Sequence, residues 1–383
     1  MLAGIQVLDC SGRLGWLCGR LLADMGAEVG KVEAPDADLS TAEWRALNVN
    51  KRLLRLDLQA AGARQALDRL AASHDILIAT PRAMSSDREL FDHTRLSGVN
   101  PRLIVVAITP FGLAGPKADW QATDLEIMAA AGAMSLAGDR GGEPMRVSSP
   151  QSSGWAGAQA AVGATMALAA RARTGRGQLI DVSAQAAVIT ALAHAPTFVD
   201  IAGTTPTRAG AFMTGRSVTG ARYRVFWPCR DGDINFILYG GAAGRRTNEQ
   251  LVAWMREQGA DVGPLAAIDW ARFDPTQASQ AEVDALELPI GRFLATLSKR
   301  EFLEGAHRRE MLGYPVSNVA DIAADRQLEA RGFWQDIATP QGRSERHCGA
   351  FYLEGGRRPA LRQAATVAPS SASEELQHER AGA

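Results

Sequence analysis

Cysteine is scarce in this 383-residue chain: Cys10, Cys18, Cys229 and Cys348 form no C-x-x-C pair and no metal-ligand spacing with the six scattered histidines. Those spacings exclude a zinc site and a disulfide scaffold, and no metal is expected. An excess of either charge is missing too. Lys plus Arg number 41 against 42 Asp plus Glu, a formal net charge of -1. There is no basic field to recruit nucleic acid or an anionic membrane surface, so any anionic ligand must be met by local cations. Long apolar runs are also lacking. The longest weakly polar stretch, Trp155 to Ala170, is rich in Ala and Gly and contains Gln159; it falls short of the roughly 20 residues that span a bilayer. The start, MLAGIQVLDCSG, has no basic region leading into a long apolar one, as a secretory signal would. The expectation is a cytoplasmic protein with neither nucleic acid nor membrane as partner.

Apolar residues are plentiful, 46% against 22% charged. That is enough for a large core in two or three domains of about 150 residues. Strand-like runs at Ile5 to Leu8, Glu28 to Glu33, Leu53 to Leu58, Asp75 to Ala79 and Leu103 to Thr109 alternate with helical stretches. The helices read as Gly15 to Met25, closed by Gly26, and Gly62 to Ala72. Aliphatic runs without polar alternation suit strands covered on both faces, so the pattern is doubly wound α/β. No G-x-G-x-x-G follows the first strand, which disfavours a dinucleotide site on a Rossmann-like topology.

Gly154 to Arg173 predicts a long helix of small residues ending at Thr174-Gly-Arg-Gly, followed by a strand at Leu179 to Val182 and a helix at Ser183 to Ala195 stopped near Pro196. Beyond residue 200 the composition changes: Gly203 to Gly220 is rich in Thr, Gly and Arg, and Tyr223 to Tyr239 reads as strand, turn and strand. Helices are expected at Thr247 to Gln258, Ile290 to Leu297 and Lys299 to Met311, and a frayed tail from Ser370.

Five segments carry a resemblance to a known family: LLADMGAEVGKVEAP (Leu21 to Pro35), NVNKRLLRLDL (Asn48 to Leu58), ITPFGLAGP (Ile108 to Pro116), TGRGQLIDVS (Thr174 to Ser183) and YPVSNVADIAADRQLEARGFW (Tyr314 to Trp334). In this order and spacing they resemble the class III CoA-transferases, which include formyl-CoA and carnitine CoA-transferases and the 2-methylacyl-CoA racemases. The resemblance implies a Rossmann-like large domain (1–200), a smaller α+β domain (201–330), a C-terminal return to the first (331–383), and two chains interlocked like links. The stretch from Pro150 and the segment Trp227 to Gly241 most resemble the E-type subunits of benzylsuccinate CoA-transferase, which pair with a second, Asp-bearing homologue.

The resemblance also implies a chemistry. In the family an Asp carboxylate attacks an acyl-CoA to give a mixed anhydride, and the released CoA thiolate opens it to an aspartyl-CoA thioester. That Asp lies four residues before a Gly of the long helix; with Gly157 as that Gly, the position is 153, and it is Ser153. An oxygen ester formed there would be too stable to re-form the thioester, and Pro150-Gln-Ser-Ser-Gly-Trp contains no carboxylate. The His-Asp pair of the racemases reads Thr123-Asp124 here. For CoA, the family's contacts fall on Arg13 in the first turn and on Arg88; the loop Ala79-Thr-Pro-Arg replaces the usual Glu-Asn-Phe, leaving Thr80 or Arg82 to substitute for the lost aromatic.

Blander roles stand beside these. Asp124 opens a helical run and reads as its N-cap, with a base near the thioester as the alternative. Asp181 reads as a partner of Arg176, His194 as a core histidine, and Gly240-Gly-Ala-Ala-Gly as a mobile flap or a plain turn. Asn50-Lys-Arg serves structural pairing or a phosphate contact. The implied function is CoA transfer between carboxylic acids, with acyl-CoA and a carboxylic acid as ligands. Without a carboxylate at 153, this requires direct attack by the acceptor, helped by backbone N–H groups near Gly154. The alternatives are a silent CoA-binding subunit completed by an Asp-bearing homologue rather than a homodimer, and a CoA-ester isomerase using Asp124 or Glu126 as base.

Overall fold

Ile76–Ala79 and Ile104–Thr109 have no polar alternation, and every residue of both is buried. In the computed structural model, which describes residues 1–82, 87–214, 218–339, 342–365 and 370–371, they are central strands of a parallel sheet. The strands are β1 (Gln6–Cys10), β2 (Glu28–Glu33), β3 (Arg52–Arg55), β4 (Ile76–Ala79), β5 (Ile104–Thr109) and β6 (Leu179–Ser183). Their order is 3-2-1-4-5-6, and the short strand Ser370–Ser371 pairs outside β3. Leu8 stands between Gly30 and Leu77, which sets the register of the middle of the sheet. The connecting helices are α1 (Trp16–Asp24), α2 (Ala42–Asn48), α3 (Ala63–Ser73), α4 (Asp87–Leu90), α5 (His93–Val99), α6 (Asp124–Ala130), α7 (Ser152–Thr174), α8 (Ala184–Ala191) and α9 (His194–Ala202).

The expected doubly wound arrangement is present, with local differences. The helix expected at Ser183 to Ala195 is two, broken at Leu192 and Ala193, and Pro196 is the third residue of α9 rather than a stop. Proline is tolerated there because the first turn of a helix needs no N–H donors. The tail expected to fray from Ser370 begins instead with the paired residues Ser370–Ser371; the rest of it lies outside the described residues. No single helix among the described residues is long and apolar enough to cross a membrane.

A buried charge network lies under the first strand-to-helix turn. Asp9, at 0% exposure, receives Lys51 Nζ at 2.8 Å, and Lys51 also donates to Trp16 O and Asn48 Oδ1. Asp9 Oδ1 in turn accepts the Ser11 N–H and hydroxyl. Lys31 is sealed in beside them, 3.1 Å from Glu33 and donating to Ser11 O at 2.7 Å. Burial works to raise the Asp9 pKa, but the two lysines and the hydrogen bonds from Lys51 and Ser11 outweigh it and hold the carboxyl below its usual range. A second layer ties the C-terminal segment to α1. Arg20 pairs with Asp24 at 2.8 Å and donates to Cys348 O, Tyr352 donates to Asp24 O, and Arg362 donates to Ala27 O. Asn50, held at φ +74°, donates to Asp24 Oδ1 and accepts the Arg362 N–H.

The chain divides into two compact units. One comprises residues 1–135, 145–206 and the described part of 326–383; the other comprises 136–144 and 207–325. The second unit has its own core around Trp227, Phe236, Trp254, Phe293 and Phe302. A small antiparallel sheet of Phe226–Cys229, Gly232–Asn235 and Tyr314–Pro315 packs with α10 (Gly241–Glu257), α11 (Gln280–Leu294) and α12 (Lys299–Arg308). Gly305 is obligatory in that core, since a Cβ there would stand 2.3 Å from the Trp254 ring. Glu287 of α11 is 8% exposed and accepts the Arg224 N–H at 2.7 Å. Burial pushes its pKa up to about 7.

Two outcomes follow for stability. Lys51→Met leaves Asp9 buried and unpaired and is expected to cost about 3–5 kcal/mol in urea unfolding. Adding Asp9→Asn should restore part of that loss; a double variant no more stable than the single one contradicts the pairing. For Glu287 the folded state keeps a proton that the unfolded chain releases above its ordinary value of 4.5, so stability falls as pH rises from there to about 7. Glu287→Gln should flatten that decline, a difference on the order of 2 kcal/mol by pH 8. Parallel pH curves for the two proteins would refute it.

Candidate functional site

Strand order reverses between β1 and β4, and a sheet of this topology opens its ligand crevice beyond the carboxyl ends of the strands at that point. The turn after β1, Ser11-Gly-Arg-Leu-Gly-Trp, is drawn tight there. A Cβ on Gly15 would sit 2.5 Å from Ser11 Cβ, and one on Gly19 would sit 2.2 Å from Asp9 Oδ2. The loop after β4 closes on the turn through the Gly12 N–H, which donates to Thr80 Oγ1 at 2.7 Å. Helix α7 crosses α1 at Gly157, where a Cβ would be 2.8 Å from Leu17 Cβ and 3.0 Å from Cys18 N. Ser153 lies one turn earlier on the same helical face, so it is carried toward the entrance of α1 and the first turn. It is 9% exposed.

Beside it, α6 and α7 meet through Asp124. Its Oδ1 accepts the Gln151 N–H at 2.8 Å, the Ser152 N–H at 2.7 Å and the Ser152 hydroxyl at 2.8 Å. Asp124 therefore caps α7, not its own helix as the sequence suggested. Helix α6 is capped by Thr123 with Glu126 in a capping box, so Glu126 is held by α6 and Asp124 by α7. The Gly154 N–H donates to Gln151 O, so the N–H groups of Gln151, Ser152 and Gly154 are all satisfied inside the chain. Those three of the backbone donors expected near Gly154 are already used.

The cations expected to meet CoA lie around the same edge of the sheet, and each holds a carboxylate. Arg13 pairs with Glu43 at 2.6 Å, Arg82 with Asp87 at 2.8 Å, and Arg88 with Asp119 at 3.1 Å. The side chains of Arg13 and Arg82 are more than half exposed. The Arg13–Glu43 pair is exposed on both sides and therefore weak, so a phosphate can replace its carboxylate at little cost, whereas Asp87 is buried and holds Arg82 more firmly. Segment 111–120, after β5, joins this edge: Arg88 also donates to Ala118 O, and Leu113 N–H donates to Asp181.

Several expected roles are revised. Asp181 holds the Leu113 N–H and makes no ion pair with Arg176 among the described residues. His194 is exposed in the first turn of α9 rather than in a core. Gly240 is the N-cap of α10, and the following Gly-Ala-Ala-Gly forms its first turn, so this segment is neither flap nor plain turn. Asn50 and Lys51 are structural, as the buried network shows. The sequence reading missed Asp9 and Lys31. The one available signal was a carboxylate ending an otherwise apolar strand, opposite a lysine in the next. No group of three or more potential metal ligands occurs among the described residues.

Residues 2–370 match the family model described as CoA-transferase family III. A Thauera aromatica protein named as subunit BbsE of succinyl-CoA:(R)-benzylsuccinate CoA-transferase is 31% identical over 346 residues, covering 86% of this chain and 82% of that one. A succinate–glutarate CoA-transferase of Agrobacterium fabrum is 27% identical, covering 89% and 86%. Among solved structures, a CAIB/BAIF family protein from Brucella suis superposes with a TM-score of 0.82 at 25% identity over 98% of both chains. The parallel sheet with its α7 entrance beside the first turn and the match across nearly the whole length together place this chain in the class III CoA-transferase family.

Proposed function

We propose that the chain works in the transfer of CoA between carboxylic acids as the partner that lacks the nucleophilic carboxylate, completed by a homologous chain that bears it. The reading rests on position 153: counted along the helix, the place of the family's Asp at the head of α7 holds Ser153, and the neighbouring Asp124 spends its Oδ1 on the Gln151 and Ser152 donors that cap that helix. An anhydride relay needs a carboxylate free to attack a thioester and to leave again, and a serine ester is too stable to return its acyl group to a thiol. The likeness to a protein named as one subunit of a CoA-transferase supports the same reading. In it, Arg13, Thr80, Arg82 and Arg88 hold CoA, Arg13 exchanging its carboxylate for a phosphate. The two chains interlock in the cytoplasm.

The test is CoA transfer from succinyl-CoA to a panel of carboxylic acids by the parent chain, by Ser153→Asp, and by the parent with an Asp-bearing homologue. A new carboxylate is well placed electrostatically in the first turn of α7. The parent alone should be slower than either other sample by on the order of 100-fold or more. A parent chain that alone matches the Ser153→Asp rate overturns the proposal.

A further inference from the structure

The segment after β5 builds a second feature on the crevice edge. Trp120 is 57% exposed, more than any other tryptophan among the described residues. It is held in place all the same: Phe111 packs edge-on at 6.3 Å, and Lys117 Nζ lies 5.4 Å from the Phe111 centroid and 5.5 Å from that of Trp120. Lys117 has no carboxylate partner among the described residues, so its charge is left for something else. The backbone between them is pinned to α4, because Arg88 donates to Ala118 O and pairs with Asp119. Arg88 Nε is buried with no hydrogen-bond partner among the described residues.

We propose that Trp120, Lys117 and Arg88 form the seat for the adenosine 3′-phosphate end of CoA, Trp120 stacking on the purine and the two cations meeting phosphate. This rests on the reading that the chain binds CoA. The loop after β4, Ala79-Thr-Pro-Arg, offers no aromatic ring, and Thr80 spends its hydroxyl oxygen on the Gly12 N–H. The neighbouring loop supplies what that one lacks: a ring gripped by Phe111 and Lys117 and still open to a ligand, with one unneutralised cation beside it. A purine stacks on such a ring without base-specific hydrogen bonds. Asp119, 65% exposed, is the one carboxylate in the cluster, and Arg88 neutralises it.

Isothermal titration of the full chain with CoA, 3′-dephospho-CoA and phosphopantetheine tests this. Trp120→Ala should weaken CoA roughly 10-fold or more while leaving phosphopantetheine unchanged, and Trp120→Phe should keep most of the affinity. Lys117→Met should weaken CoA more than dephospho-CoA, because it removes a phosphate partner. Equal CoA affinity in parent and Trp120→Ala, or an equal loss for phosphopantetheine, overturns the seat while leaving the CoA-transfer reading intact. A parent chain that binds no CoA overturns both. Binding of adenosine 3′,5′-bisphosphate that is lost in Trp120→Ala, in a protein with no transfer activity in any mixture, supports the seat and removes the transfer reading alone.

Discussion

The ion pair of Asp9 with Lys51 is the constraint on which the rest of the first unit depends. Two charges at 0% side-chain exposure are stable only with every remaining donor and acceptor matched. Meeting that demand fixes the surroundings: Ser11 folds back onto Asp9, Trp16 O and Asn48 turn toward Lys51, and Gly19 leaves room for the carboxylate. Strands β1 and β3 are not neighbours, since β2 lies between them. The pair therefore links the end of β1 to the start of β3 across an intervening strand and holds the first turn in one shape.

That turn is where the candidate site begins. Its shape sets where α1 enters, α1 receives α7 at Gly157, and α7 in turn carries Ser153. Asp124 closes the arrangement from the other side by satisfying the N-terminal donors of α7. Position 153 itself carries a hydroxyl and no carboxylate.

The aliphatic runs at β4 and β5 were legible as buried strands, because a sheet covered on both faces leaves no other place for residues such as Ile76–Ala79. Gly26 and Gly175 ended their helices as expected, since both sit at positive φ. The boundaries that were misread had reasons outside the local pattern. Pro196 opens a helix because α8 had already broken before it, and α10 starts at Gly241 even though glycine is a poor helix former. At the site, Ser153 could be placed by counting along an unbroken helix, and that count needed no contact information.

Partnership could not be read the same way. Whether Asp124 caps its own helix or the next one, whether Asp181 meets Arg176 or a backbone N–H, and whether Lys51 faces a phosphate or Asp9 all depend on groups 27 to 68 residues apart in the chain. Composition and periodicity encode burial and secondary structure, because these respond to neighbours a few residues away; the family pattern and the absence of a carboxylate at 153 were open to reading for the same reason. The hydrogen-bond partner of a polar group is chosen by which distant segment the fold brings within about 3 Å, and that choice exists only once the sheet has closed.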